Sequence, residues 1–199
     1  MAKFTFPSGR VAVAGSRTLP HTYIPLIASI SQHIAHSSGS LSVGCCLGVD
    51  QAVISSVEPK YLHIHTIFNS RGEGACSLSA VQSVLSSASA GSNLTWLSGG
   101  QLSKPLTSRL SSRTKSVVSS ASAGLLAIFI SGTSRGTALA CQVAANHGLP
   151  VLALSPNSVT LPSIKGFSWS KVSSQFSHYL AGSKLHPYTL NSQNHQLFR

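Results

Sequence analysis

Acidic side chains are almost missing from this chain. Among its 199 residues only Asp50, Glu58 and Glu73 carry a carboxylate. A hydrolase of the two-carboxylate kind needs a pair of acids in one site, and a magnesium site usually draws on one or two. Only Asp50 falls inside a glycine turn, so the sequence argues against carboxylate-rich catalysis. Charged residues of both signs make up 9% of the chain, against about 25% in an ordinary globular protein. Ser, Thr, Asn, Gln and Gly must therefore cover the surface. The four cysteines, Cys45, Cys46, Cys76 and Cys141, form no C-x-x-C pair, which speaks against a zinc ribbon. Cys45 and Cys46 are neighbours and do not readily bridge to each other. His33 with His36, and His63 with His65, have the spacing of metal pairs but no third ligand, so they read as packed or solvated histidines. No metal and no cofactor is expected. The start of the chain lacks the apolar core of a signal peptide. The apolar stretch 121–130 is too short to span a bilayer and ends in a glycine turn. A cytoplasmic protein with reduced thiols and no membrane partner is the expectation. No internal repeat recurs at a fixed period.

What the chain has is positive charge, apolar runs and glycine turns. Fourteen Lys and Arg against three acids give a formal charge of +11. A field of that sign attracts polyanions, although a serine-rich chain that lost its acids would carry the same charge as a colloidal property. Hydrophobic content of 42% and this length allow one domain with a full core and a tail. Apolar periodicity predicts strands over 10–14, 41–43, 61–68, 94–97, 124–130 and 151–154. It predicts helices over 21–36, 51–56, 77–90, 105–122 and 135–147, and a polar loop over 69–76. Strands alternating with helices in this way predict an α/β, Rossmann-like fold, a parallel sheet with helices on both faces. That domain covers residues 1–154. Residues 155–199, interrupted by Pro156, Pro162 and Pro187, lose the pattern. They read as a C-terminal extension packed on the domain edge or fraying from it, with Trp169, Phe176 and Tyr179 docking it or stacking on bases.

Three turns follow apolar strands. The first is Gly15-Ser16-Arg17. The second runs from Gly44 through Gly48 to Asp50. The third contains Gly132, Thr133, Ser134, Arg135, Gly136 and Thr137. Strand, glycine turn and helix together aim backbone N–H groups at an anion. Arg17 and Arg135 add planar donors suited to phosphate, and Asp50 is placed to cap the helix after it. Neither a Walker loop nor the G-x-G-x-x-G fingerprint is present. Arg109 and Arg113 lie four apart on one helix face, with no acid on that helix. The face points either to phosphate or to solvent.

The order and spacing of these pieces resemble the SLOG superfamily, the group of Rossmann-like domains that includes the Smf/DprA and Lonely-Guy proteins. The resemblance runs over about 11–154. It rests on Gly15-Ser16-Arg17, on Gly44, Gly48 and Asp50, on Arg109 and Arg113, and on Gly132, Gly136 and Thr137. It implies a pocket at the C-terminal strand ends for nucleotides, nucleotide-derived signals or single-stranded DNA, and a homo-oligomer. Lonely-Guy phosphoribohydrolases carry P-G-G-x-G-T-x-x-E, whose Glu serves catalysis; Ala140 stands in that place here. The leading expectation is therefore a phosphate-bearing nucleotide or nucleotide-derived ligand, held without catalysis and with no catalytic residue assigned. Single-stranded nucleic-acid binding of the DNA-processing type is the alternative. A further one is nucleoside-monophosphate N-glycosidic hydrolysis, with Asp50 as the acid.

Overall fold

Alternation with a period of two sorts the central strands into two faces. The computed structural model describes residues 3–130 and 134–193. Its strands are β1 (Lys3–Phe4), β2 (Gly9–Gly15), β3 (Gly39–Val43), β4 (Leu62–His65), β5 (Asn93–Thr95), β6 (Gly124–Ile128), β7 (Val151–Pro156), β8 (Phe167–Lys171), β9 (Ser173–Ser174) and β10 (Leu185–Ser192). Its helices are α1 (Ile24–Ser38), α2 (Val49–Ser56), α3 (Leu78–Ser89), α4 (Leu106–Ser119), α5 (Arg135–Asn146) and α6 (Ser177–Leu180). Eight strands form one sheet in the order β5-β4-β3-β2-β6-β7-β10-β8. The pairings from β5 through β7 are all parallel. β1 and β9 form a separate parallel pair. This is the Rossmann-like α/β architecture expected from the alternation.

Val11, Val13, Leu126, Ile128, Leu152 and Leu154 face one core, shared with Ile27, Ile30 and Ile34 of α1 and Val49 and Val53 of α2. Ala12, Leu125, Ala127 and Ala153 face the other, against Val117 and Val118 of α4 and Ala140 and Ala144 of α5. The alanines on both sides of that second interface leave room for α5 to lie close to the sheet. The isoleucines of α1 recur at helical spacing, and Ile27, Ile30 and Ile34 are fully buried. Each contributes about 1.5–3 kcal/mol of transfer free energy. The helix stops at Gly39, whose φ of +119° few other residues adopt.

The region after Ser155 is more regular than its sequence pattern. β10 pairs antiparallel with β7 and with β8, extending the sheet past the parallel part. Pro187 conceals this strand from a propensity reading, since proline cannot donate to a ladder. It sits where β10 pairs with β7, and the ladder to β8 begins only at Tyr188. Phe176 docks the segment: it is fully buried, 5.6 Å from the His33 ring and 6.4 Å from that of Phe6. Trp169 sits edge-on to Phe129.

Candidate functional site

From β2 the chain goes through α1 to β3 on one side of the sheet. From β6 it goes through α5 to β7 on the other. Because β2 and β6 are neighbours, the winding reverses between them, and in such sheets a crevice opens at the C-terminal ends of those two strands. A cavity of about 350 Å³ occupies this place. The end of β2 supplies Gly15, Ser16, Arg17 and Thr18; the turn before α2 supplies Cys46, and α2 itself Asp50. Arg113, Thr114 and Val117 of α4 form one wall, and Ser134, Arg135, Gly136 and Thr137 at the start of α5 form another.

The floor is a buried ion pair. Arg113 Nη1 donates to Asp50 Oδ2 at 3.0 Å, and the Cys46 N–H donates to the same oxygen at 3.0 Å. Arg113 Nη2 donates to Cys46 Sγ at 2.9 Å. Arg113 and Asp50 are only 7% and 5% exposed. Burial pulls the Arg113 guanidinium toward neutrality more strongly than any one neighbour opposes it, but the Asp50 charge and hydrogen bond, together with Cys46 and Cys45, outweigh it and hold the group charged. Gly44 makes the arrangement possible. A Cβ there would run into the Arg113 guanidinium and the Asp50 carboxylate, so the glycine is the gap through which the pair meets. Gly48 stands at φ +80°, and a side chain there would strike the Ser16 and Arg17 carbonyls. The Ser16 carbonyl holds the turn, since Val49 N–H donates to Ser16 O at 3.1 Å. Asp50 does not cap α2 as its position suggests. Gly48 is the N-cap, no side chain caps the helix, and the carboxylate turns inward to Arg113 instead.

The rim has the opposite character. Arg17 and Arg135 are exposed at the mouth, and neither makes a side-chain hydrogen bond or ion pair among the described residues. The first turn of α5 opens on the cavity with no side-chain cap among the described residues, and the first N–H groups of a helix have no partner within it. The Ser134 and Thr137 hydroxyls bond to each other there. Ser16 is buried at the inner end of its turn, with its hydroxyl 3.2 Å from that of Thr18. A second cavity, of about 930 Å³, shares Arg17 and Thr18 with the first and runs over Leu19, Pro20, Ile24, Leu47 and Ile130.

The sequence-derived residues separate into groups. Gly15, Ser16, Arg17, Asp50, Arg113, Ser134, Arg135, Gly136 and Thr137 meet at the first cavity. Gly44 lies beneath the ion pair, and Gly48 lines the second cavity. Arg109 lies apart from both cavities. Its Nη1 donates to the Ile67 and Gly74 carbonyls, each at 2.9 Å, and its Nε to Lys104 O at 3.2 Å. It therefore fastens the loop after β4 to α4. Gly132 and Thr133 fall outside the described residues. Cys46 and Thr114 line the cavity without having been singled out; the signal for Cys46 was its place between two turn glycines. His63 and His65 stack at 4.5 Å under the C-terminal end of α4, with Thr95 and Ser120 hydroxyls on their Nε2 atoms. Burial pushes His65 down to about 4. Among the described residues no three His, Cys, Asp or Glu side chains are grouped to hold a metal. No helix there is long and apolar enough to cross a membrane.

No protein-family model matches the sequence, and no curated protein is similar to it. A solved structure is similar in fold: DNA processing protein A from Helicobacter pylori, described for its unique single-stranded DNA binding mode. The likeness covers 89% of this chain and 73% of that one, with a TM-score of 0.57 and 14% identity. At that identity it is a likeness of fold, and it agrees with the parallel sheet and flanking helices described above.

Proposed function

We propose that the chain binds the phosphate of a single-stranded nucleic acid at the β2–β6 crevice, holding the ligand without cleaving it. The observation that carries this reading is the rim: two guanidinium groups and a helix N-terminus with no side-chain cap among the described residues converge on one cavity. Helix N-termini and free arginines are the usual partners of phosphate oxygens. The Asp50–Arg113 pair below leaves the floor no net positive charge, so the anion belongs at the mouth. Asp50 then accepts a hydrogen bond from a sugar hydroxyl or a base. The +11 charge and the fold shared with a DNA processing protein support a strand over a free nucleotide. So does the second cavity, whose apolar wall suits a base next to the phosphate site. A free nucleotide is the second reading, favoured by a first cavity with room for little more than one phosphate and its sugar.

Fluorescence anisotropy with labelled oligonucleotides of increasing length, at two salt concentrations and with mononucleotide competitors, tests both. A strand-binding protein gains affinity with length and loses it steeply with salt. A charge-assisted hydrogen bond is worth about 1.5–3 kcal/mol, so Arg17→Ala and Arg135→Ala should each weaken binding roughly ten- to hundred-fold. Unchanged affinity in both variants refutes the site. Competition by one mononucleotide, without length dependence, transfers the site to the second reading.

A further inference from the structure

The floor of the cavity contains a group that phosphate binding does not use. Cys46 Sγ accepts a hydrogen bond from Arg113 Nη2 at 2.9 Å, a short approach for a sulfur acceptor, and the same side chain lines the cavity. The Arg113 guanidinium has donors to spare: its Nε is buried and has no partner among the described residues. We propose that Cys46 is a reactive thiolate and a modification site, open through the cavity to hydroperoxides and small soft electrophiles. This does not depend on what the rim binds.

The surroundings divide the labour between the two adjacent cysteines. The neighbouring Cys45 thiol, as a donor to Cys46, and the Arg113 charge favour the Cys46 thiolate against burial, and lower Cys46 below an ordinary thiol. Cys45 is driven the other way, first by the same hydrogen bond and then by burial, and stays protonated. Cys141 is raised by burial among the α5 alanines. Cys76 is exposed, yet burial of its sulfur raises it too. Nucleophilicity resides in the thiolate, so the most reactive sulfur is nearly buried and the exposed one is slow.

With a hydroperoxide, the Cys46 thiolate attacks the outer peroxide oxygen. An S–O bond forms as the O–O bond breaks, the sulfur is oxidised to a sulfenic acid, and the leaving hydroxide or alkoxide takes up a proton. With iodoacetamide an S–C bond forms and iodide leaves.

The test measures iodoacetamide labelling of each cysteine in the full chain by peptide mass spectrometry between pH 5.5 and 9. Dimedone trapping after hydrogen peroxide runs in parallel. At pH 7.5 Cys46 should label at least about ten-fold faster than Cys76, with its rate levelling off at a lower pH than that of Cys76. Dimedone should mark Cys46 first. Cys46→Ser should remove the fast phase, and Cys76→Ser should leave it. Labelling led by Cys76, or a Cys46 rate still climbing above pH 8.5, overturns the assignment. The wild-type profile decides this even if a variant folds poorly.

Discussion

Asp50→Asn is the sharpest perturbation of the cavity floor, because it removes a charge and almost nothing else. The wild-type carboxylate takes two hydrogen bonds on Oδ2, from Arg113 Nη1 and the Cys46 N–H, both at 3.0 Å. An amide keeps the shape, and its oxygen, with two lone pairs, can still accept both. What it cannot do is neutralise a guanidinium that is 7% exposed. Removing one partner of a buried pair costs about 3–5 kcal/mol, because the other charge is left uncompensated. The cavity admits water to one side of this pair and the Cys46 sulfur still accepts from Arg113 Nη2, which places the expected loss at the lower end of that range, about 3 kcal/mol. For a chain of this length each kcal/mol moves the midpoint about 2–4 °C, so a fall of roughly 6–12 °C is expected in a thermal melt. Urea titration gives the free energy directly. The companion variant Asp50→Asn with Arg113→Met should recover much of the loss, since it removes the stranded charge as well. A single variant within about 1 kcal/mol of wild type, or a double variant worse than the sum of its parts, refutes the buried-pair argument.

Arg109→Ala should destabilise the protein by about 2–3 kcal/mol in urea, by leaving the buried Ile67 carbonyl without its donor; oligonucleotide affinity, read on the folded fraction, should not change. Gly44→Ala should cost about 1–3 kcal/mol as an overpacked site, read as a lower urea midpoint, because its Cβ meets Arg113 and Asp50. His65 is held neutral in the fold, at about 4 against 6.5 for the free side chain. The unfolded chain therefore binds the extra proton first as pH falls. The stability that His65 provides is complete above pH 6.5 and is lost as pH drops from 6.5 toward 4. Urea midpoints at pH 7, 5.5 and 4.5 should fall in that order, and His65→Gln should flatten the trend.

Much of the frame was legible because a parallel sheet writes itself in apolar runs. Residues 124–128 carry no charge, and β6 is buried along its whole length. The isoleucines of α1 sit at helical spacing, as the buried face requires. The glycine turns were legible for the same reason: a strand end that must approach a helix leaves a gap in the side-chain pattern, as Gly15 does beneath Val49. The ion pair was not legible. Asp50 and Arg113 are 63 positions apart, and nothing local says that an arginine on a helix without acids meets the one acid of another turn. The same blindness joined Arg109 to Arg113 as one basic face. They do share a side of α4, but one turn of helix separates a cavity wall from a loop clasp. The strands after Ser155 were hidden by Pro187 and by the mixed polarity of an edge that is only partly covered.

Cys46 also offers a way to decide how deep the ligand sits. The rim donors, Arg17, Arg135 and the start of α5, lie at the mouth of the cavity, whereas the Cys46 sulfur lies with Arg113 at its floor. A carbamidomethyl group on that sulfur would take up inner space and displace the Arg113 hydrogen bond without touching the rim charges. If a nucleotide reaches inward, with a sugar or base hydrogen-bonded to Asp50, the adduct must clash with it. Oligonucleotide affinity should then fall at least about ten-fold, the equivalent of one lost charge-assisted hydrogen bond. Cys46→Ser, treated with the same reagent, should bind as it did before treatment. An alkylated wild type that binds at full strength would refute insertion and put the phosphate on the rim alone. The backbone of a strand would then run across the mouth from Arg135 to Arg17 and on toward the second cavity.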